Sequence, residues 1–460
     1  MNVLMMTCAA PPKSPFSTKE KRPPLGLGSL ISIARDKGHQ VHFIDNYLKP
    51  MRGYELEAYI KTNNIDLVGI YLNTICFQDG KRLIETILDL RDRESMDLPI
   101  AVGGPHTSVL PETIPEGVDY IVQGEGEMAW RDILDGTCET GLVTRPRMKD
   151  LDWLPFQPWD LFGNQPYDWT CGWMDEVYPV FTMNTSRGCP FKCSFCSVDS
   201  IWGSGYTLMT AERILEEVTH LVEKHGARGI YFREDNFTLN RIRTRDFCRL
   251  MKDAFQGRIK WACETRVDNL TEPIVKAMAE AGCRAFYLGV ESGSAKVLKR
   301  VNKRIDMDQV RNVITWGKKY GINCYASLIT GVPGETFQDF KATEALMMDL
   351  KPYHWSYNVF VGIPYSSLYH WAIENGYFEY IDENGLGYPS GFDIKVQFFY
   401  GRDSHEMVDH DFKWRTPYDA ALKRARMWWA IHKRYREVLG ALRGLRRRFG
   451  WQENLTGGGR

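Results

Sequence analysis

Residues 185–200 read TSRGCPFKCSFCSVDS, with Cys189, Cys193 and Cys196 spaced C-x3-C-x2-C. Thiolates are soft ligands, suited to zinc or to iron–sulfur clusters. Structural zinc is held by four protein ligands, usually as paired Cys or Cys/His elements. This loop supplies three and no paired knuckle lies near it. The nearest histidine in sequence, His220, falls on a segment of helical periodicity. Three thiols fit a [4Fe–4S] cluster better, with one iron left without a protein ligand and open to a small molecule. The plainer alternatives are zinc, or three thiols that pack as small loop residues.

Carboxylates and an arginine recur downstream, each time just after a short apolar run. REDNFTLN (233–240) carries Glu234 and Asp235, ETRVD (264–268) carries Glu264 and Arg266, and GVESGS (289–294) carries Glu291 and Ser292. LITGVPGETFQD (328–339) adds a glycine-rich turn. Any one of these carboxylates has a bland reading as a helix cap or a surface ion pair. Upstream, GGPHTS (103–108) and GEGE (124–127) also end apolar runs. Glycine there lets a large ligand lie against the backbone, although neither loop matches G-x-G-x-x-G.

With Phe195 ahead of the third cysteine, the loop resembles the C-x3-C-x-aromatic-C motif of the radical S-adenosylmethionine (SAM) enzymes. The resemblance covers about 180–365 and implies a [4Fe–4S] cluster whose open iron is chelated by SAM, the source of a 5′-deoxyadenosyl radical. It implies SAM contacts from Phe195, from Glu234 and Asp235 to the amino group, from Arg266 and Glu264 near the carboxylate, and from Glu291 and Ser292 near the ribose. The segment before the connector, with PPLGLGSLISIARDKGHQVHFID, resembles the cobalamin-binding domain that precedes one large radical SAM class. That implies cobalamin, as methylcobalamin, among Thr74, Gly103, Gly104, His106, Thr107, Gly124, Glu125, Gly126 and Glu127. The histidine motif D-x-H-x-x-G is absent: Asp45 is followed by Asn46 and Tyr47, and Asp403-Ser404-His405 lacks the glycine. The lower cobalt ligand therefore stays open, and so does a domain that kept the fold and lost the ligand. Methylthiotransferases are the neighbouring alternative, since Cys8, Cys76 and Cys138 precede the connector, but the glycine loops fit the cobalamin pattern better.

These groups need scaffolds. Over residues 1–145, strand-like runs at 2–7, 40–45, 66–72, 99–104 and 119–124 alternate with helical patterns at 26–38, 52–63 and 79–93, which predicts a doubly wound parallel sheet. Residues 146–179, rich in Pro, Trp and Asp, read as a connector. Strand candidates at 180–186, 228–233, 259–264, 284–290, 323–330 and 354–362 then alternate with five helices. They predict a partial (β/α)6 TIM-type barrel over 180–375, with its chemistry at the carboxyl ends of the strands. Residues 376–460 read as a mostly helical C-terminal region, and the aromatics of 352–400 as a lining for the substrate entrance. The fold class expected is α/β: a Rossmann-like domain, the barrel, then the helical tail.

Bulk composition decides little. The chain has 460 residues, 43% apolar and 25% charged, with 58 basic and 58 acidic side chains. Residues 418–449 hold ten Lys/Arg against two Asp/Glu. That cluster, with Arg443, Arg446, Arg447, Arg448, Trp428 and Trp429, reads as a solvated helix face rather than a nucleic-acid site. No secretory signal and no run of about 18 apolar residues is seen, so a cytoplasmic enzyme is expected. The resemblance implies C-methylation of an unactivated carbon, with a peptide or protein carbon favoured over a small-molecule substrate. It also implies an electron donor such as flavodoxin or ferredoxin. The alternatives are cyclisation or rearrangement without methyl transfer, and a non-catalytic cobalamin or iron–sulfur sensor.

Overall fold

The computed structural model describes residues 1–10, 21–382, 385–389 and 397–401. The helices expected over 418–449, with Arg443 and its neighbours, lie outside the described residues, as does Asp403-Ser404-His405.

The chain opens with a six-stranded parallel sheet: β1 (Asn2–Thr7), β2 (Gln40–Ile44), β3 (Leu67–Tyr71), β4 (Ile100–Gly103), β5 (Tyr120–Gln123) and β6 (Gly141–Thr144), ordered 2-1-3-4-5-6. Because strand side chains alternate, both faces are apolar. Leu4, Met6, Val68 and Ile70 pack on α2 (Gly53–Thr62) and α3 (Phe77–Glu94). Val3, Met5 and Leu67 pack on α1 (Leu25–Asp36) and α4 (Gly126–Leu134). The order reverses between β1 and β3, the topological switch point beside which doubly wound sheets bind ligands at the carboxyl ends of their strands. The strand β6 was not foreseen, because GLVT is too short to show a period.

The second sheet runs β7 (Val180–Met183), β8 (Gly229–Phe232), β9 (Lys260–Arg266), β10 (Cys283–Glu291), β11 (Asn323–Thr330) and β12 (His354–Val359), all parallel and in sequence order. A last strand, β13 (Gln397–Gly401), pairs antiparallel with β12. The crossovers carry α5 (Ala211–His225), α6 (Arg241–Phe255), α7 (Glu272–Glu280), α8 (Met307–Tyr320) and α9 (Phe337–Leu350). Their starts are written in the sequence. Thr210 caps α5, while Asp306 with Gln309 and Thr336 with Asp339 form capping boxes on α8 and α9. The expected strand 180–186 is broken: β7 stops at Met183, and Ser186–Arg187 turns aside to pair with Thr207–Leu208. At the break the Glu234 carboxylate accepts from the Thr185 backbone N–H, which is thereby unavailable to a strand ladder, and from the Thr185 hydroxyl.

Residues 156–167 bind both sheets. Trp159 and Phe162 are fully buried, Phe162 lies 5.7 Å from Phe43 on β2, and Trp159 lies 5.3 Å from Phe181 on β7. Tyr167 donates to Asp45 at 2.5 Å and Ser32 to the Phe156 carbonyl at 2.7 Å. The connector's aromatics thus belong to the barrel core while reaching the first sheet. Phe162→Ala is expected to destabilise the protein by about 3–5 kcal/mol through the cavity it leaves. Chemical denaturation should show a lower midpoint for both sheets together; loss confined to one would refute the shared packing.

Candidate functional site

One cavity, of about 660 Å³, lies between the carboxyl ends of the two sheets. From the first domain its wall takes Gly103, Gly104, Gly124, Glu125, Gly126 and Glu127. From the barrel it takes Glu234, Asp235 and Glu264, together with Ser186 and Arg187 on one flank of the cysteine loop and Ile201 and Trp202 on the other. Its floor is Trp173, which packs against Tyr231 and Tyr287 at 5.3 and 5.2 Å. Trp173 comes from the connector and is pinned by Asn323, whose side chain donates to the Trp173 carbonyl.

The three cysteines are half-buried on the loop after β7. A turn from Cys196 N–H to the Cys193 carbonyl at 3.0 Å shapes the loop. Bonds from Ser194 to the Val301 carbonyl at 2.9 Å and from Asn302 to the Lys192 carbonyl at 2.6 Å brace it. Burial pushes the Cys189 thiol up and the Cys196 thiol up to about 12, so a positive centre is needed to hold them as thiolates. Among the described residues, no three His, Cys, Asp or Glu side chains converge as ligands of a single ion. The donor set itself favours a cluster: the loop offers three thiols, where structural zinc takes four protein ligands and a [4Fe–4S] cluster takes its thiolates on separate irons. Cys8 and Cys76 are buried at the carboxyl end of the first sheet, whereas Cys138 precedes β6 at the opposite end. They do not form a second cluster site.

The expected SAM residues divide. Asp235 opens onto the cavity and accepts from the Gly188 N–H at 3.0 Å; desolvation in the cleft pushes its carboxyl up to about 6. Glu264 accepts from the Tyr231 hydroxyl at 2.6 Å, and burial raises it too. Arg233, on the same wall, stands 3.9 Å from Glu264, so Asp235 is the acid of this pair that no ion pair answers among the described residues. Glu234 also borders the cavity but is held by Thr185 and paired with Arg243 at 3.4 Å. Glu291 sits at φ +62° and is bound by buried Lys303 at 2.6 Å, Ser292 bonds Thr343, and Phe195 packs on Val297, Val301 and Phe360. Arg266 is the largest departure: it forks onto Asp268 at 2.8 and 2.9 Å and donates to Cys193 Sγ at 3.4 Å.

The expected cobalamin residues divide as well. Gly124, at φ +88°, has open space where a Cβ would stand, and Gly103 and Gly126 border the cavity beside it. Gly104 is glycine for a backbone reason: at φ +116° a Cβ would meet the Leu72 carbonyl at 2.5 Å. His106 is outside the wall, stacked on Phe77 at 4.2 Å and bonded to Thr74 and Thr113. Thr107 is fully buried. Glu125 and Glu127 face a partner that sequence reasoning passed over. Arg187, two residues before Cys189, meets Glu127 at 2.5 and 3.0 Å and Glu125 at 3.5 Å; both carboxylates are buried and the arginine side chain is 14% exposed. Arg147 closes this latch from outside, donating to the Arg187 carbonyl at 2.6 Å and the Trp202 carbonyl at 2.5 Å. The only signal was an arginine beside the cysteines, and its partners lie about 60 positions upstream.

The sequence matches the Radical SAM superfamily over residues 183–347 and the B12 binding domain over residues 17–134. An uncharacterized methyltransferase of Pyrococcus horikoshii is 30% identical over 374 residues, covering 77% of this chain and 79% of its own. This chain is a B12-binding radical SAM enzyme. The cofactors of this radical SAM enzyme are a [4Fe–4S] cluster, SAM and cobalamin. The anaerobic magnesium-protoporphyrin IX monomethyl ester cyclase of Rubrivivax gelatinosus is 25% identical over 371 residues, 75% of this chain and 66% of its own. The structure of the radical SAM methyltransferase TsrM from Kitasatospora setae, with tryptophan and a SAM analogue bound, superposes with a TM-score of 0.63. At 17% identity over 81% of this chain and 76% of that one, it speaks for the fold. Among the described residues no helix is long and apolar enough to cross a membrane.

Two outcomes follow for the radical SAM enzyme. Arg187→Met strands two buried carboxylates and should cost about 3–5 kcal/mol. Adding Glu127→Met should restore more than half in urea unfolding; no restoration would mean that the latch is not an ion pair. His106 is held low, at about 4, by burial. Its folded value lies below the unfolded 6.5, so its stabilisation is whole above about pH 6.5 and fades as pH falls toward 4. His106→Gln should flatten the fall in unfolding free energy over that window, by up to about 3 kcal/mol.

Proposed function

We propose that the enzyme transfers a methyl group from SAM, by way of cobalamin, to an unactivated carbon. The observation that carries this is a cavity shared by both domains, walled by the strand-end glycines of one and by the flanks of the cysteine loop of the other. When bound, the cofactors supply a carbon radical and a methyl donor; that chemistry is theirs, and the chain contributes orientation and exclusion. Cys189, Cys193 and Cys196 hold the cluster. Asp235 and Glu264 present negative charge to the SAM ammonium group. Gly103, Gly124 and Gly126 let the bulky corrin ring and its tail approach the backbone. Trp173, Tyr231 and Tyr287 form an aromatic floor that keeps water from the reacting carbon. The acceptor favoured is a carbon of a peptide or protein, with small-molecule acceptors as the competing class. The electron comes from a low-potential donor of the flavodoxin or ferredoxin type.

A second reading, cyclisation or rearrangement without methyl transfer, draws on the cyclase among the relatives. Turnover products separate the two. Anaerobically reconstituted protein with SAM, cobalamin, reductant and a peptide or small-molecule library should yield 5′-deoxyadenosine, S-adenosylhomocysteine and, from deuterated-methyl SAM, a labelled acceptor. Rearrangement would give 5′-deoxyadenosine with little S-adenosylhomocysteine. Output no higher than that of the Cys189→Ala, Cys193→Ala, Cys196→Ala triple variant would exclude both.

A further inference from the structure

Arg266 was expected at the carboxylate of SAM, yet the structure commits it elsewhere. Its guanidinium carbon stands 3.7 Å from the centre of the Phe191 ring, a residue inside the cysteine loop. One terminal nitrogen donates to Cys193 Sγ at 3.4 Å. The remaining face of the fork is filled by both oxygens of Asp268, at 2.9 and 2.8 Å. The Arg266 side chain is 7% exposed and that of Asp268 15%. So the arginine is stacked, neutralised and aimed before any ligand arrives, and Arg266 does not border the cavity.

We infer that Arg266 tunes the cluster through Cys193, with Asp268 as the counterweight that sets how strongly it does so. The inference rests on the assignment of Cys189, Cys193 and Cys196 to a [4Fe–4S] cluster. Reduction adds one electron to the cluster, so the reduced form carries one more negative charge, part of it on the thiolate sulfurs. A buried N–H donor and positive charge at one sulfur stabilise that form more than the oxidised form. The potential is thereby raised, and a low-potential one-electron donor reduces the cluster more readily. Asp268 opposes the effect by its own negative charge while holding the fork in register. The Phe191 stack keeps the guanidinium over the loop, where lysine, a point charge without a planar fork, would not be held.

The test is a redox titration of the SAM-free holoprotein with dithionite, read by the electron paramagnetic resonance of the reduced cluster. Iron and sulfide content is measured first, so that a protein with no cluster is recognised as a failure of the cluster assignment and not of this inference. Arg266→Gln should lower the reduced-to-oxidised ratio at fixed solution potential about tenfold, which is about 59 mV for a one-electron couple. Asp268→Asn should move the ratio the other way. Should Arg266→Gln not retain its cluster, Asp268→Asn decides alone. Ratios within twofold of the parent in every variant that retains the cluster overturn the inference. An unmoved potential with strongly weakened SAM binding would instead return Arg266 to the carboxylate of SAM.

Discussion

Arg187 is the interaction on which the site depends. A guanidinium removed from water is tolerable only where carboxylates meet it at close range. Glu125, at the N-cap of α4, and Glu127, in its first turn, do so from just after β5, while Arg187 itself leads into the cysteine loop after the first barrel strand. Two domains, each with its ligand-binding edge made of loops, are therefore docked edge to edge by a contact that tolerates little displacement. The cavity is the space this docking leaves between them. Had the latch been apolar, the two edges could slide; a charged fork fixes register as well as distance.

The same logic sorts the other carboxylates near the cavity. Glu234 is held by Thr185 and Arg243, and Glu217 is paired with Arg213 at 3.2 Å. Farther out, Glu291 is paired with Lys303. Each is a structural acid whose charge is already answered. Asp235 and Glu264 differ: both are pushed upward by desolvation and take hydrogen bonds from neutral donors, and the cation nearest Glu264, Arg233, stands at 3.9 Å. A ligand bearing a positive group meets these two first.

The fold was legible because its signals are local and repeated. Buried parallel strands read as apolar runs, the helices between them announce their starts with Thr210, Asp306 and Thr336, and both series follow one grammar. The cysteine spacing could be read for the same reason, since it lies within one loop. Side-chain commitments were not legible. That Arg266 serves Asp268 and Cys193, that Glu291 is taken by Lys303, and that His106 is a packed core residue all depend on partners brought near by the fold. Of the candidate glycines, Gly124 borders open space while Gly104 avoids a backbone clash, and sequence alone gives both the same letter.

Arg147 ties positions that lie far apart in the chain into one unit of inheritance. A Cβ at Gly205 would stand 2.7 Å from its guanidinium, and one at Gly188 would strike both that group and the Gly205 carbonyl. Neither glycine is free to drift while the arginine remains, and the arginine cannot shorten without uncovering the Arg187 and Trp202 carbonyls. A side chain at residue 205 therefore has to displace the Arg147 guanidinium from the two carbonyls it holds. Position 188, held at φ +81° against the Gly205 carbonyl, is strained for any other residue whatever stands at 147.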